Sequence, residues 1–540
     1  MRGIALGVLI LALTAAACSR PQQVPPGRQT EVKAPQAGGS FRVPVKLDPY
    51  DWDLSYGGKS QPMGDGMAMP YDMLLAYQFG PGTKYEDLVL APSLAERWEV
   101  SPDAKTFTFT LRKGVKFANL PPVNGRELTA SDVKWSYEYA SRTGQFAKLP
   151  GGQMQYYFEG MTGIETPDRY TAVVKFKDPF APFVPYTTSA FNPIVPKEIH
   201  DQDGHLKDRA VGTGPFQLDA DASQKGSRWI FRKNPGYWQT GKPYLDEVRW
   251  LVLKEEATEY AAFQAKQVDL LFGLRHTDAQ QVTKANAQAQ VLEYVYPKGS
   301  RLRLSQGPNG PLRDIRVRQA VALAINRDEI NQLIGGGRGK WALPGAYNGL
   351  FTDAETKQML RYDPEEARRL LAQAGYADSV TLDWPYARDS NAFDISSWEL
   401  IQAQLKRVGI KASLYPMDKA AQRARRYKAE YELDTASGTG GLEGGDLDAQ
   451  LFGQFHSKSS ANWYAINDPE LDRLVVAQRL ESNLEKRRDI WRQAVKRVVD
   501  QVWVVELIYS PQYDIVQSNV QDYLPHAAMT TQFTHTWIEK

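Results

Sequence analysis

The histidines and the single cysteine of this chain are not spaced as in a familiar catalytic or metal-binding motif. The six histidines include no pair at the spacing of a helical zinc site, and the single cysteine cannot complete one. They are His200, His205, His276, His456, His526 and His535. The chain also lacks G-x-S-x-G, the turn that exposes a nucleophilic serine in many hydrolases. We therefore expect no enzyme, no bound metal and no cofactor.

Two glycine-rich runs could cradle a phosphate group, but each lacks a required residue. In the run 335–341, Ile334 stands where a phosphate loop needs its first glycine, and Trp341 stands where a serine or threonine would hold magnesium. In the run 438–444, Glu443 replaces the third glycine of a dinucleotide-binding loop. Nucleotide binding is therefore not expected.

The only cysteine, Cys18, follows a short basic start and an apolar run from Ile4 to Ala17. The run is shorter than the roughly 20 residues that span a membrane, so the pattern predicts a secretory signal peptide over residues 1–17. Small residues that end at a cysteine resemble the bacterial lipobox, although Ala15 stands where leucine is preferred. We predict that Cys18 is lipidated. An ordinary cleaved signal with an incidental cysteine is the alternative.

The rest of the chain has the composition of a globular protein with little net charge. The full sequence has 540 residues, of which 42% are apolar and 24% are charged, and its net charge is +2. This length exceeds what one core can organise, so two or three domains are expected. The charge gives no reason to expect nucleic acid as a partner, and a single cysteine forms no disulfide framework. Residues 18–40 are rich in proline, glutamine and glycine, which predicts a flexible tether.

Local patterns predict both strands and helices. Phe107, Phe109 and Leu111 alternate with threonines, which predicts a strand with one buried face. Thr129 stands three residues before Asp132, a spacing typical of a capped helix start.

Two further helices are predicted in the second half of the chain. Val317 and Val321 recur at helical spacing and indicate an amphipathic helix. Asp363 followed by Pro364 is typical of a helix start, and Gly375 of its end.

Segments spread over nearly the whole chain together carry a family resemblance. The most informative run from Pro92 to Asp103, from Phe107 to Phe117 and from Leu128 to Ser136. Further matching segments are 212–216, 234–238, 243–248, 268–270, 311–327, 467–472 and 487–491. In these segments the chain resembles the family 5 extracellular solute-binding proteins, the peptide/nickel-type receptors of ABC importers. The main departure is a longer loop at residues 118–125.

The resemblance implies an α/β protein with the two-lobed periplasmic-binding-protein fold (type II) and an additional inserted α+β domain. Lobe I would comprise residues 41–62, 209–300 and 506–540, the inserted domain residues 63–208, and lobe II residues 301–505. Closure of the lobes over a ligand would create the state that an ABC permease recognises.

A strand predicted to end at Ser437 supplies the first candidate ligand site, because such carboxyl ends face the crevice in open α/β sheets. In peptide-binding relatives an aspartate at this strand end pairs with the amine of the ligand. Here Gly438 and Thr439 follow Ser437 instead.

Three acidic residues further along the loop could replace that aspartate. Asp446 is the main candidate, Asp448 is a second and Glu443 a weaker third. The alternative role for Asp446 is to cap the helix that follows it.

A second candidate loop follows the alternating stretch from Val380 to Trp384, which Pro385 is expected to end. By the family resemblance this loop borders the crevice, with Trp384 at its edge. Tyr386 could stack on a ligand, and Arg388 could pair with a carboxylate or phosphate. An exposed turn with a solvated arginine is the alternative.

Aromatic residues supply the remaining candidates. Tyr509 ends a strand predicted at 503–509, and Trp463 follows the glycine-rich loop. Each could line a ligand pocket, and each could equally pack in a core. From lobe I, the glycine- and methionine-rich stretch 56–69 resembles the loop that faces the ligand in the family.

These observations predict a monomeric extracytoplasmic receptor of an ABC importer, held on the cell membrane by a lipid anchor. Its ligand is expected to be a peptide. An oligosaccharide, a metal chelate or another small organic solute is the alternative within the same class. A secreted hydrolase and a sensory or adhesive lipoprotein are the alternatives from other classes.

Overall fold

Strands and helices alternate along the chain in a computed structural model, so the protein is mixed α/β as predicted. The structure describes residues 34–540 except residues 50, 57–65, 86, 152–154, 296–299, 306–309, 346–348, 389, 391, 438–445, 460–461 and 527–532. Residues 36–540 form one unit, and Cys18 lies outside the described residues. None of the described helices is long and apolar enough to cross a membrane.

The strands of the described chain are β1 Ser40–Val45, β2 Leu75–Tyr77, β3 Leu90–Pro92, β4 Ala95–Val100, β5 Thr106–Leu111, β6 Met161–Asp168, β7 Thr171–Phe176, β8 Phe216–Gln224, β9 Arg228–Lys233, β10 Glu247–Val252, β11 Leu270–Leu274, β12 Gln290–Val295, β13 Ser300–Leu304, β14 Lys340–Trp341, β15 Val380–Ala387, β16 Ile410–Met417, β17 Leu433–Ser437, β18 Val504–Glu506, β19 Ile508–Tyr509, β20 Pro511–Val516, β21 Val520–Gln521 and β22 Trp537–Ile538.

The helices are α1 Ala130–Ser141, α2 Phe183–Tyr186, α3 Lys197–Asp203, α4 Glu256–Gln264, α5 His276–Ala285, α6 Ile315–Leu323, α7 Arg327–Gly335, α8 Asp353–Met359, α9 Pro364–Gln373, α10 Ala392–Arg407, α11 Lys419–Tyr427, α12 Asp448–Phe455, α13 Pro469–Leu480 and α14 Leu484–Gln501.

The first sheet has the strand order β1-β10-β9-β8, in which only the β1–β10 pair is parallel. Phe41 stands opposite Val248, and Val43 opposite Trp250. All four side chains are fully buried, because residues opposite each other in a register share one face of the sheet. The register therefore follows from the alternation of apolar residues.

The second sheet, β4-β5-β7-β6, is antiparallel throughout and packs against α1. Phe107, Phe109 and Leu111 are buried, which confirms the predicted strand face. Thr129 and Asp132 form the predicted capping box, with the Thr129 N–H donating to Asp132 Oδ2 at 2.8 Å. This satisfies amide groups that the first turn of a helix leaves without a partner.

The second half of the chain contains the sheet β17-β13-β18 and the parallel pair β15–β16. Val317 and Val321 of α6 are fully buried, as their spacing predicts. At the start of α9 the Asp363 Oδ1 accepts the Glu366 N–H at 3.0 Å, which confirms the predicted cap. Gly375 follows the helix with a φ of +88°, a left-handed conformation that favours glycine.

Two strand boundaries differ from the sequence-based expectation. β15 continues through Pro385 to Ala387, so the prediction that Pro385 ends it is wrong. Proline lacks only the amide donor, and β15 pairs with a single strand, an edge position that tolerates this loss. The strand expected at 503–509 is two strands, because the chain changes partner at Leu507 from β13 to β14.

The sheet β11-β20-β12 combines strands from distant parts of the chain, and its central strand holds the buried Asp514. The carboxylate accepts hydrogen bonds from Tyr523 Oη at 2.6 Å, Tyr294 Oη at 2.9 Å and the Gly273 N–H at 2.7 Å. No cation pairs with it among the described residues. Burial raises the pKa of Asp514 to about 6, although the hydrogen bonds oppose this shift.

The raised pKa of Asp514 predicts a specific pH dependence of stability. Between about pH 4 and pH 6 the folded protein holds a proton that the unfolded chain releases, so the free energy of unfolding falls as pH rises. The loss is about 3 kcal/mol, and Asp514→Asn removes it. Urea melts at pH 4 and pH 7 measure this. From pH 4 to pH 7 we expect wild type to lose about 3 kcal/mol of unfolding free energy that Asp514→Asn does not lose. Stability curves that stay parallel for the two proteins would contradict the prediction.

Candidate functional site

The sheet β17-β13-β18 carries a face of four buried charged residues, which we call the charged face. Arg301 stands opposite Glu506, and Arg303 opposite Asp434. Each arginine pairs with the acid opposite it: Arg301 Nη2 lies 3.1 Å from Glu506 Oε1, and Arg303 Nη1 lies 2.9 Å from Asp434 Oδ2. Because strand side chains alternate between faces, residues two apart on β13 point the same way.

Polar and aromatic side chains surround the charged face. Arg301 Nη1 donates to Gln454 Oε1 at 2.7 Å and to Tyr464 Oη at 3.3 Å. The Arg303 guanidinium lies 5.1 Å from the centre of the Trp463 ring. This cation–aromatic contact places Trp463, a predicted ligand residue, beside the charged face.

Tyr509, another predicted ligand residue, is buried, and its hydroxyl donates to the Leu343 carbonyl at 2.7 Å. Burial raises the pKa of Tyr509, and the negative charge of Glu506 raises it further. The hydroxyl therefore stays protonated and is already engaged inside the protein. The core-packing alternative fits this placement.

The end of β15 is linked to the charged face through Gln422. Its Nε2 donates to the Pro385 carbonyl at 3.3 Å and to Asp434 Oδ1 at 3.1 Å. Trp384 is fully buried, because alternation along β15 directs it into the same core as Leu382. Trp384 therefore supports this strand end, and its contact with a ligand stays a prediction.

Tyr386 and Arg388 lie at the open end of β15. Tyr386 is half-buried, with its ring centre 5.4 Å from that of Trp398. The Arg388 N–H donates to the Met417 carbonyl at 2.8 Å, which fixes the backbone at the strand end. Its side chain is exposed, and its guanidinium forms no ion pair or hydrogen bond with any residue that the structure describes.

Asp446, the expected amine-binding residue, forms a buried ion pair with Arg487. Both carboxylate oxygens accept from that guanidinium, at 2.7 and 2.8 Å. Asp446 Oδ1 also accepts the N–H of Asp448 at 2.8 Å, at the first residue of α12. The helix-start alternative therefore describes the observed contacts, and an arginine of the protein already neutralises this acid. Of the other residues predicted around the loop, Gly438, Thr439 and the side chain of Ser437 lie outside the described part of the chain.

Asp448 joins the second half of the chain to the segment 159–186. Tyr186 Oη donates to Asp448 Oδ2 at 2.6 Å, and Arg479 Nη2 donates to the same oxygen at 2.8 Å. Burial opposes the negative charge, but the Arg479 guanidinium prevails and holds the pKa of Asp448 below its ordinary value.

Arg479 extends this connection on its other side. Its Nη1 donates to Glu159, and its carbonyl accepts the Ala181 N–H at 2.8 Å. The guanidinium also lies 5.2 Å from the centre of the Phe180 ring. Through this one arginine, α13 contacts the segment that contains Glu159, Phe180 and Ala181.

Sequence reasoning missed the arginines that organise this region. A signal was present for two of them, because Arg301-Leu302-Arg303-Leu304 alternates charge with apolar side chains. A buried strand with that pattern must pair its charges. The pairing of Arg479 and Arg487 depends on distant parts of the chain, and no short-range pattern indicates it.

The assembled side chains supply charge, hydrogen bonds and aromatic surfaces. Among the described residues, no group of three or more histidine, cysteine, aspartate or glutamate side chains could hold a metal ion. These features suit the recognition of a polar solute.

Comparison with known proteins identifies the class to which this fold and site belong. The family model described as bacterial extracellular solute-binding proteins, family 5 Middle, matches residues 89–462. The chain belongs to this family, whose members bind solutes outside the cytoplasm.

Individual relatives agree with the family assignment. The dipeptide-binding protein of Escherichia coli K12 is 28% identical over 499 residues, covering 88% of this chain and 90% of that protein. Heme-binding protein A of Haemophilus influenzae is 26% identical over 453 residues, covering 81% and 82%.

Solved structures confirm the predicted type II periplasmic-binding-protein fold. The periplasmic binding protein DppA of Helicobacter pylori, in complex with the peptide STSA, has a TM-score of 0.76 at 23% identity and covers 94% of this chain and 99% of its own. AgaA from Agrobacterium tumefaciens R10, in complex with agropinic acid, has a TM-score of 0.75 at 25% identity, with coverages of 93% and 99%. The chain is thus an extracytoplasmic solute-binding receptor of the ABC importer class.

The buried pair of Asp446 and Arg487 predicts an unequal effect of two neighbouring substitutions. Arg487→Met leaves the Asp446 carboxylate buried without its cation, which costs about 3–5 kcal/mol. Arg488→Met removes only an exposed hydrogen bond to the Gly349 carbonyl and should cost about 0.5 kcal/mol or less. Chemical denaturation of both variants measures the difference. Equal losses of unfolding free energy in the two variants would contradict the prediction that the buried ion pair contributes more to stability than the exposed hydrogen bond.

Proposed function

We propose that this protein captures a peptide, held chiefly by its carboxylate, and delivers it to an ABC permease. The single observation that carries this proposal is the exposed Arg388 guanidinium at the carboxyl end of β15, in a family whose relatives include a dipeptide-binding protein. An arginine fork binds a carboxylate through two parallel hydrogen bonds.

The position of Arg388 suits this role. Its backbone is fixed by the bond to Met417, while its side chain is not committed to an acid of the described protein. A ligand carboxylate would therefore meet a cation that is paired with no acid of the described residues. Tyr386, two residues earlier on the strand, offers an aromatic surface on which a side chain of the ligand could stack.

Recognition of the ligand amine receives less support. The strand end at Ser437 is followed by Gly438 and Thr439 rather than by an acid. Asp446 is buried and bound on both oxygens by Arg487, so its charge is already balanced inside the protein. We propose that Ser437, Gly438 and Thr439 contact the ligand through hydrogen bonds and close backbone approach, and that Trp463 forms a wall of the pocket.

A non-peptide carboxylated solute is the second candidate. The observation in its favour is the same engagement of Asp446, since a ligand without an amine needs no free acid. The similar structure of AgaA holds agropinic acid.

We propose that lobe I and lobe II close over the ligand, with lobe II comprising residues 301–505 and the inserted domain residues 63–208. Asp448 and Arg479 contact Tyr186 and Glu159, which joins the segment of lobe II to that of the inserted domain. Residues 41–62, 209–300 and 506–540 would form lobe I of a monomer that performs no catalysis.

The ligand class is tested with a matched set of dipeptides: unmodified, acetylated at the amine and amidated at the carboxyl end. We expect the unmodified and acetylated forms to bind in isothermal titration, and the amidated form to bind roughly ten- to a hundredfold more weakly, since a hydrogen bond to a charged group contributes about 1.5–3 kcal/mol. Arg388→Gln should weaken the first two to the level of the third. Arg423→Gln, which changes an exposed arginine of α11, should leave all three unchanged.

Each outcome of this titration has a definite meaning. A greater loss on acetylation than on amidation would contradict recognition through the carboxylate. Binding of oligosaccharides, with no response to any peptide, would contradict the peptide proposal itself.

We also propose that Cys18 carries the lipid that holds the receptor on the membrane. The proposal rests on the small residues before Cys18 and the family's extracytoplasmic location. In cell fractionation the wild-type chain and Ser19→Ala should remain with the membrane, whereas Cys18→Ser should be released. Retention of Cys18→Ser with the membrane would contradict the lipid anchor.

A further inference from the structure

A separate pocket of about 270 Å³ lies between α6, α9, the end of α14 and β18. Its walls are mostly apolar side chains, among them Ala322, Leu323, Leu370, Val498 and Val502. Of the four residues that form the charged face, only Glu506 also borders this pocket. The pocket is therefore distinct from the proposed peptide site.

A buried cation forms part of the pocket wall. Arg327, the first residue of α7, is 1% exposed. Its Nε donates to the Glu506 carbonyl at 2.8 Å, and its Nη1 donates to the Leu360 carbonyl at 2.8 Å. Its Nη2 forms no hydrogen bond with the described residues. Two of the three guanidinium nitrogens thus have backbone partners, and one remains for a ligand.

The charge of Arg327 is only partly balanced by an acid of the described chain. No carboxylate of the described residues lies within ion-pair distance of Arg327, and Glu506, which attracts it from further away, is also paired with Arg301. Burial lowers the pKa of Arg327 to about 10, so the group is still a cation at neutral pH. A buried cation that shares its nearest acid with Arg301 is costly, and an anion in the pocket would relieve that cost.

The charged residues at the rim of the pocket do not supply Arg327 with a counter-charge. Glu366 at the rim is held on both oxygens by Arg369, at 2.5 and 2.6 Å. Arg361, also at the rim, donates to Asp363 at 2.7 Å. The remaining acid at the rim, Asp500, is on the exposed side of the last turn of α14. Apart from Glu506, which is paired with Arg301, the interior therefore presents one cation, Arg327, to a largely apolar space.

We propose that this pocket binds a small monocarboxylate with an apolar chain, whose carboxylate accepts from Arg327 Nη2. The apolar chain would lie against the valine and leucine side chains of α6, α9 and α14 and be removed from water. The volume is below the roughly 300–1,000 Å³ of pockets that hold drug-sized ligands, which favours a short chain.

The test uses octanoate as the probe and the full chain, with 1-octanol as the neutral counterpart of equal length. Ligand-observed NMR and isothermal titration should detect binding of octanoate, and binding of 1-octanol at least tenfold weaker. Ala322→Phe fills the pocket and keeps Arg327, so it should abolish octanoate binding. Ala372→Phe places the same ring on an exposed position of α9 and should leave binding unchanged.

Two further measurements test whether octanoate binding depends on Arg327 and whether the pocket is separate from the peptide site. Arg327→Met should weaken octanoate at least tenfold while leaving 1-octanol unchanged. A saturating peptide should not displace octanoate. If Arg327→Met does not fold, the binding of octanoate and 1-octanol to wild type and to Ala322→Phe still tests the proposal.

The overturning results are equally definite. Absence of octanoate binding, equal binding of octanoate and 1-octanol, or octanoate binding that persists in Ala322→Phe would each overturn the proposal. Displacement of octanoate by a peptide would also overturn it, because the two sites would then be one.

Discussion

The charged side chains buried between residues 301 and 506 must be paired with opposite charges inside the protein. This requirement fixes how the strands and helices of the second half of the chain are placed against one another. Arg301 and Arg303 are held by acids directly across the sheet, so a shift of one residue in the register with β18 or β17 would separate the pair that this register contains. The same requirement joins Asp446 to Arg487 and Asp448 to Arg479. Together with the hydrogen bond from Arg301 to Gln454, these pairs connect β13, α12, α13 and α14 into one framework.

The framework also separates acids that serve the fold from groups that can serve a ligand. Asp434, Asp446, Asp448 and Glu506 are all engaged by arginines of the chain. Arg388 is exposed at a fixed strand end. In this region the buried acids are paired inside the protein while one arginine faces outward, and the proposed recognition through a carboxylate rests on this difference.

Sequence patterns predicted the fold well wherever a local rule decided the outcome. The alternation at Phe107 and the Thr129 cap are short-range features, and the structure contains both. The end of β15 was misjudged at Pro385, because the sequence does not reveal that the strand pairs on one side only. For the site, the exposure of Arg388 followed from its place after a strand. The burial of Trp384 and the engagement of Asp446 depend on packing partners that lie far away in the chain.

The position of β20 at the centre of its sheet has a consequence for the order in which the protein can assemble. Its neighbours β11 and β12 end by Val295, but the strand that joins them begins only at Pro511. Until the last part of the chain has emerged, two strand edges near its middle stay without their partner. The sheet is therefore completed only after the carboxyl-terminal part of the chain is available. Because a long loop must close to bring these strands together, this sheet forms slowly and late in folding.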